Sequence, residues 1–360
     1  MTVAPDADSS PWSRLSTLPV VVEECAFERL SARQSHARER VTTRIRLLGA
    51  GAQGISEDVS PYEDEADTLH VAAPALPLAG EWTLGSLCER LAELGDAQWP
   101  VPPRWEMARW WRTWGFQAAA LDLALAQAGL PLHAAVGREP APVRFVNSLG
   151  LGDPPTFDPI RRRLERHPGL RFKLDVTPAW PPELIDEVAA TGAVEIVDFK
   201  GHYGLEMGEP AALLAMYERV VAAFPDALLE DAHDVPEVTA LLEGEAHRIS
   251  YDVPIHSAAD LDGTPLTPRA VNVKPCRVGD LRALFDVYAA CEARGVAMYG
   301  GGMGELDAGR GQIQLLASLF HPDGPNDVAP GGYNADTPAA DLAPSPLPPN
   351  PAPTGFRRAP

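Results

Sequence analysis

Four short runs decide the fold: Val194-Glu-Ile-Val-Asp-Phe-Lys200, Ala227-Leu-Leu-Glu-Asp231, Arg248-Ile-Ser-Tyr-Asp252 and Val271-Asn-Val-Lys274. Each is apolar and β-branched or aliphatic, and each ends on charge. Three more share the form: Val143-Arg-Phe-Val-Asn-Ser-Leu149, Leu170-Arg-Phe-Lys-Leu-Asp175 and Val296-Ala-Met-Tyr299. Amphipathic segments at 182–191, 210–224, 236–242 and 280–294 separate them, so the unit is strand, helix, strand, helix. Seven such units, with no glycine-rich dinucleotide turn after the first, predict an α/β chain with a (β/α)7β TIM-like barrel over 138–334.

A buried parallel strand should be apolar throughout, so charge at its C-terminal end marks the rim where barrel sites form. The charged ends carry Lys173, Asp175, Asp198, Lys200, Glu230, Asp231, Asp252 and Lys274. Of the 30 basic residues 27 are arginine, and the three lysines of the chain all fall in this set. A chain that otherwise prefers arginine has kept lysine where a titratable amine is useful. Asp198, Glu230 and Asp252 on consecutive strands supply hard oxygen donors without His or Cys, which suits Mg²⁺, or Mn²⁺, as a single divalent ion. The bland alternative for these acids is helix capping or pairing with the lysines. A lysine beside such an ion is pushed toward the free amine, the form a general base needs. Together these groups suit removal of a proton from the carbon next to a carboxylate.

Upstream, residues 18–137 read as a capping domain of strands followed by helices, with β-branched runs between 18 and 57 and helical spacing at 84–94 and 107–128. Trp105, Trp110, Trp111 and Trp114 are expected mainly in the core. Residues 55–68 are expected as a loop, 1–17 as a flexible N-terminus and 335–360, with eight prolines, as a disordered tail. The formal net charge of −20 argues against nucleic acid or an anionic membrane as partner. Four scattered cysteines suggest neither disulfides nor a thiolate zinc site, and no signal or spanning segment is evident, so a cytoplasmic location is expected.

With these motifs in place, the chain resembles the enolase superfamily, in the style of its muconate-lactonizing and mandelate-racemase branches. The resemblance rests on Gly54-Ile-Ser-Glu57, Ala118-Ala-Ala-Leu-Asp-Leu-Ala124, Gly129-Leu-Pro-Leu-His-Ala-Ala-Val-Gly137, Asn272-Val-Lys-Pro-Cys-Arg-Val-Gly-Asp-Leu281 and Gly300-Gly-Gly-Met-Gly-Glu305. It implies Asp198, Glu230 and Asp252 as Mg²⁺ ligands and Lys274 as the acid/base on one face of the substrate. The second barrel strand departs from the pattern: Lys173-Leu-Asp175 stands where Lys-x-Lys is usual. A second departure is Lys200, where asparagine is common, which makes Lys200 a candidate relocated acid/base, with Asp175 paired to it or to Lys173. Asn147, Tyr203, His256 and Glu305 are pocket candidates; His202, His233 and Tyr299 rank below them.

The expected chemistry is Mg²⁺-dependent abstraction of an α-proton from a small carboxylate through an enediolate, then β-elimination or isomerisation. A two-base racemase or epimerase using Lys200 and Lys274 is the first alternative. A Schiff-base lyase at Lys274 and a catalytically silent binding barrel are the others. Homo-oligomerisation is an expectation by resemblance alone.

Overall fold

The computed structural model describes residues 10–35, 38–60, 62–72, 76–95, 102–204 and 209–359. Its first part is a cap. Strands β1 (Pro19–Val22), β2 (Glu24–Ser35), β3 (Arg38–Gly49), β4 (Ala52–Asp58) and β5 (Gly80–Thr83) form an antiparallel three-stranded sheet β2-β3-β4 and a separate β1-β5 pair. Helices α1 (Pro11–Ser16), α2 (Glu63–Ala72), α3 (Leu84–Leu94), α4 (Ala108–Ala128) and α5 (Leu132–Val136) accompany them. Helix α4 lies so close to β4 that a Cβ at Gly54 would sit 2.1 Å from the Ala119 carbonyl oxygen, so the sequence needs glycine there. Asp58 and Arg112, both fully buried, pair at 2.7 Å and lock the end of β4 to α4.

Strands β6 (Asn147–Gly150), β7 (Phe172–Asp175), β8 (Val194–Asp198), β9 (Leu228–Glu230), β10 (Ile249–Tyr251), β11 (Ala270–Val273) and β12 (Ala297–Gly300) form one parallel sheet in chain order. Asn326 and Asp327 close the ring as a minimal eighth strand, bridging Phe145 and Gly301 in parallel. The Asn326 side chain accepts from the Gly300 N–H at 2.6 Å and donates to the carbonyls of Arg144, His321 and Gly324. Outside run α6 (Asp158–Arg166), α7 (Pro182–Ala190), α8 (Pro210–Ala223), α9 (Pro236–Leu242), α10 (Pro275–Val278), α11 (Leu281–Arg294) and α12 (Ala308–Phe320). Four of these start on proline, whose fixed φ and missing N–H suit the first helical turn.

Three expectations need correction. Residues 55–68 are not a loop: they finish β4 and enter α2, which carries Glu63, Asp64 and Glu65 in its first turn. The N-terminus is ordered from Ser10, whose side chain caps α1, and Leu15 is fully buried; residues 1–9 lie outside the described residues. The proline-rich segment is a strap rather than a disordered tail. Leu347 pairs with Val143, the Phe145 N–H donates to Ser345 Oγ, and Phe356 is fully buried beside Trp114. Asp122 on α4 anchors its end by accepting from the Phe356 N–H at 2.7 Å and from Arg357 at 3.0 Å. Prolines cannot pair as an ordinary strand, but isolated bridges, two aromatic or aliphatic anchors and a buried carboxylate suffice to hold extended chain.

Of the four tryptophans, Trp111 and Trp114 are core, Trp105 is exposed, and Trp110 lies over the ring of His256 with centroids 4.2 Å apart. All four cysteines are free. Among the described residues no helix is long and apolar enough to cross a membrane.

Candidate active site

The parallel register sets Asp175, Asp198 and Glu230 side by side at the C-terminal ends of β7, β8 and β9. Lys173, two residues before Asp175 and therefore on the same face of β7, extends its ammonium between Asp198 (3.0 Å) and Glu230, and is itself only 1% exposed. Tyr299 donates to the other oxygen of Glu230 and shares a 2.5 Å hydrogen bond with Ser250 beneath it.

Lys200 turns into the barrel. Its Nζ lies 2.5 Å from Asp198 Oδ2 and 3.1 Å from Asp175 Oδ1, and its own N–H donates to Asp198 Oδ1 at 3.0 Å. Its backbone is left-handed, φ 55°, a conformation a non-glycine residue keeps only when its surroundings enforce it. Lys274, at the end of β11, donates to Asp252 Oδ2 at 2.7 Å, and Arg277 pairs with the same carboxylate at 3.2 Å. Tyr203 stands between the two lysines: Lys200 Nζ lies 4.9 Å from its ring centre, and its hydroxyl donates to Asp252 at 3.3 Å.

Burial opposes the charged form of Lys173, Lys200 and Lys274, yet the adjoining carboxylates outweigh it and hold all three above the ordinary lysine value. Burial likewise opposes ionisation of Asp198 and Asp252. Lys173 and Lys200 hold the former, and Arg277 and Lys274 the latter, well below the usual carboxylate range.

The ligating oxygens of Asp198, Glu230 and Asp231 lie within 4.8 Å of one another, all buried, and this group could hold a cation. That set differs from the expected one. Asp252 is drawn aside by Lys274 and Arg277, and Asp231 completes the group instead. Asp231, at φ 49°, accepts the N–H groups of Asp252 (2.7 Å) and Val253 (3.0 Å), so it fixes the loop that carries Asp252. Burial, with the charges of Asp252 and Asp198, pushes Asp231 up to about 7. The donors fit a hard divalent ion: oxygen only, buried, with two of the three, Asp198 and Glu230, already holding one cation, the ammonium of Lys173. Asp252 Oδ1, buried, faces the Arg277 guanidinium at 3.2 Å without a well-formed hydrogen bond.

The pocket candidates divide. Tyr203 is in the cluster, and Asn147 lines a cavity next to it. His256 is a packing residue between cap and barrel, its Nδ1 3.1 Å from the Arg277 carbonyl oxygen. Glu305 receives the Met303 N–H at 2.9 Å and lies at the cap seam, where Glu57 receives the Leu306 N–H at 2.9 Å. His233 is buried and tied to the Tyr217 hydroxyl at 2.8 Å. Arg277 and Asn272 were not anticipated, and Asp231, read as a charged strand end, was not anticipated within the cation group; Asn272 is 1% exposed with both amide atoms unpartnered, two residues before Lys274 and on its face of β11. Strand alternation would turn Asp231 away from Glu230, and its left-handed backbone brings it back.

Comparison with known proteins agrees with this architecture. The chain is 29% identical over 233 residues to an o-succinylbenzoate synthase from Geobacillus kaustophilus, a match over 60% of this chain and 58% of that relative's length. An N-succinylamino acid racemase from Amycolatopsis sp is 29% identical over 296 residues, covering 78% of this chain and 72% of the relative. A crystal structure of an unknown member of the enolase superfamily from Enterococcus faecalis V583 superposes with a TM-score of 0.62 at 18% identity, over 86% of each chain. The fold is that of the enolase superfamily. Two family models match directly, both described as a domain of unknown function (DUF8230): the N-terminal domain over residues 13–135 and the C-terminal domain over 139–335. The chain belongs to the DUF8230 family, built on the cap and barrel of the enolase superfamily.

Proposed function

We propose that this protein is a metal-dependent enzyme that removes the α-proton of a small carboxylate, with β-elimination or isomerisation following. The observation that carries the reading is the convergence of all three lysines of the chain on buried carboxylates at the C-terminal mouth of the barrel. Structural neighbours and the synthase and racemase relatives support the same class of chemistry.

Asp198 and Glu230 would hold a divalent ion; Asp231 lies within reach of the same cation, but its two oxygens already accept the N–H groups of Asp252 and Val253, so the third ligand would be Asp252, given up by Lys274, with Asp231 fixing its backbone. Mg²⁺ bound there supplies positive charge against which the two oxygens of a substrate carboxylate gain negative charge as the enediolate forms. Lys274, held as the ammonium by Asp252 in this structure, would be left as the free amine once a cation takes over that carboxylate, and would then take the α-proton; the C–H electron pair passes into the carboxylate. Lys200 then acts as the acid. In an elimination its ammonium gives a proton to the departing β-oxygen as the C–O bond breaks, releasing water and leaving an alkene. The buried rim keeps solvent from quenching the carbanion early.

A second reading is favoured by one set of contacts: Lys200 lies 4.9 Å from the ring of Tyr203, whose hydroxyl shares Asp252 with Lys274, so two amines stand at one mouth and Lys200 could return the proton to the opposite face of the α-carbon, giving racemisation. Calorimetric titration with Mg²⁺ tests the ligand set. Asp252→Asn is expected to weaken Mg²⁺ at least tenfold and Asp231→Asn by less; equal binding by wild type and both variants would refute the site. Turnover of N-succinylserine, whose β-hydroxyl can leave as water, separates the two readings, since racemisation conserves the substrate's mass and elimination does not.

A further inference from the structure

Glu230 differs from the aspartates around it in reach. Its side chain is one methylene longer, so it is the carboxylate best able to swing and offer both oxygens to one ion. The structure opposes this. Its two oxygens are engaged by donors of different kinds: Oε1 accepts from the ammonium of Lys173, and Oε2 accepts from the hydroxyl of Tyr299. Tyr299 reaches Glu230 from β12, three strands away across the barrel interior, while Ser250 lies beside Glu230 in the register of β9 and β10. Tyr299, Ser250 and Glu230 are all fully buried.

The hydroxyl protons can be assigned, because each hydroxyl has one to give. Tyr299 gives its proton to Glu230, so the 2.5 Å hydrogen bond between Ser250 Oγ and Tyr299 Oη is donated by Ser250. The chain from Ser250 through Tyr299 to Glu230 runs in one direction and ends on a carboxylate oxygen. Packing of Tyr299 with Val146, Ile196 and Ala270 in the barrel interior fixes where that hydroxyl stands.

Asp198 is arranged alike. Its Oδ1 accepts the Lys200 backbone N–H at 3.0 Å, and its Oδ2 faces the ammonium groups of Lys173 at 3.0 Å and Lys200 at 2.5 Å. In both carboxylates one oxygen is held by a neutral donor of fixed position and the other by lysine. Lysine ammonium is repelled by an incoming cation and yields its oxygen, whereas a neutral phenol or amide carries no net charge to be repelled.

We infer that Tyr299, supported by Ser250, confines Glu230 to a single ligating oxygen, Oε1, and thereby sets the site's preference for Mg²⁺ over Ca²⁺. The inference rests on the proposed metal site. Mg²⁺ demands a compact octahedral shell with ligands at about 2.1 Å, whereas Ca²⁺ accepts roughly six to eight oxygens at about 2.3–2.6 Å and readily takes both oxygens of one carboxylate. A glutamate held through Oε2 serves the smaller ion and denies the larger one an extra ligand. Tyr299 is thus a positioning residue, acting through Glu230.

The test is calorimetric titration of the full chain with MgCl₂ and with CaCl₂, for wild type, Tyr299→Phe and Ser250→Ala. Tyr299→Phe frees Oε2 and should weaken Mg²⁺ binding about tenfold while leaving Ca²⁺ binding unchanged or tighter, so the ratio of Ca²⁺ to Mg²⁺ affinity rises about tenfold or more. Ser250→Ala keeps the phenol but removes its support, and should move the ratio the same way by about threefold. A general loss of packing would weaken both ions alike, so a ratio that stays at the wild-type value or falls would overturn the inference. If Tyr299→Phe does not fold, the Ser250→Ala ratio decides: a rise supports the inference and no change overturns it. Failure of wild type to bind either ion would remove the metal site and the inference together, while wild-type binding with ratios unaltered by the substitutions would remove the inference alone.

Discussion

Lys200 and Asp175 form an ion pair of 3.1 Å between the ends of two adjacent barrel strands, with Lys200 also 2.5 Å from Asp198. The pair places an amine at the barrel mouth one strand along from Lys173. If Lys200 delivers the second proton while Lys274 removes the first, Lys200→Met should reduce product formation ~100-fold yet preserve exchange of the α-proton with solvent deuterium. Following both rates by NMR checks this; equal loss of both would assign Lys200 to the first step.

Gly301 is a steric requirement of the site. An alanine Cβ there would stand 2.6 Å from Lys274 Cε and 2.7 Å from Asn272 Oδ1. Overpacking of this kind typically costs ~1–3 kcal/mol, and here the atom displaced first is the flexible lysine. Gly301→Ala should therefore lower kcat by about tenfold or more while the melting temperature falls only a few degrees. A kcat unchanged from wild type would contradict the close approach.

The strap couples cap and barrel. Phe356 is fully buried against Trp114, and Asp122 accepts its backbone N–H and the side chain of the next residue, Arg357. Phe356→Ala should destabilise the protein by about 3–5 kcal/mol, read by chemical denaturation, and removing residues 343–360 should expose Val143 and Phe145 and promote aggregation. A truncated protein with wild-type stability would return the segment to the role of a passive tail.

That strap also shows where the sequence stops being readable. The charged strand ends were legible because a parallel strand buried on both faces has no other use for Asp198, Glu230 or Lys274. Glycine and proline punctuation marked α3, α4 and the barrel helices for the same local reason. The strap's order depends instead on partners 200 residues and more away, such as Asp122 for Phe356 and Val143 for Leu347, and no local pattern encodes such pairs. Arg163 was illegible for a similar reason: on α6 it is one of three consecutive arginines, and only the tertiary fold turns it inward while Arg161 and Arg162 pair with Asp158. The split between Asp231 and Asp252 needed side-chain geometry, since their spacing alone leaves both within reach of the same cation.

At the seam between cap and barrel, Glu57 is 1% exposed, with Oε1 unpartnered. Burial, together with the charge of Glu305, pushes its carboxyl up from 4.5 to about 8. A carboxyl whose folded value is raised contributes stability below its unfolded value and loses it as pH rises through the folded one. The melting temperature should therefore decline between pH 5 and 8, by roughly 5 °C, and Glu57→Gln, neutral throughout, should flatten that decline. A Gln variant with the wild-type pH profile would remove Glu57 as its source.

The central claim is that Lys274 removes an α-proton beside a metal-held carboxylate. The most direct measurement is deuterium incorporation at the α-carbon of an N-succinylamino acid in D₂O with Mg²⁺, by NMR, for wild type and Lys274→Met. The account predicts exchange by the wild type, its abolition by EDTA and recovery on adding Mg²⁺, and a loss of at least 100-fold in the variant. Exchange that persists in Lys274→Met, or that is indifferent to EDTA, would contradict it.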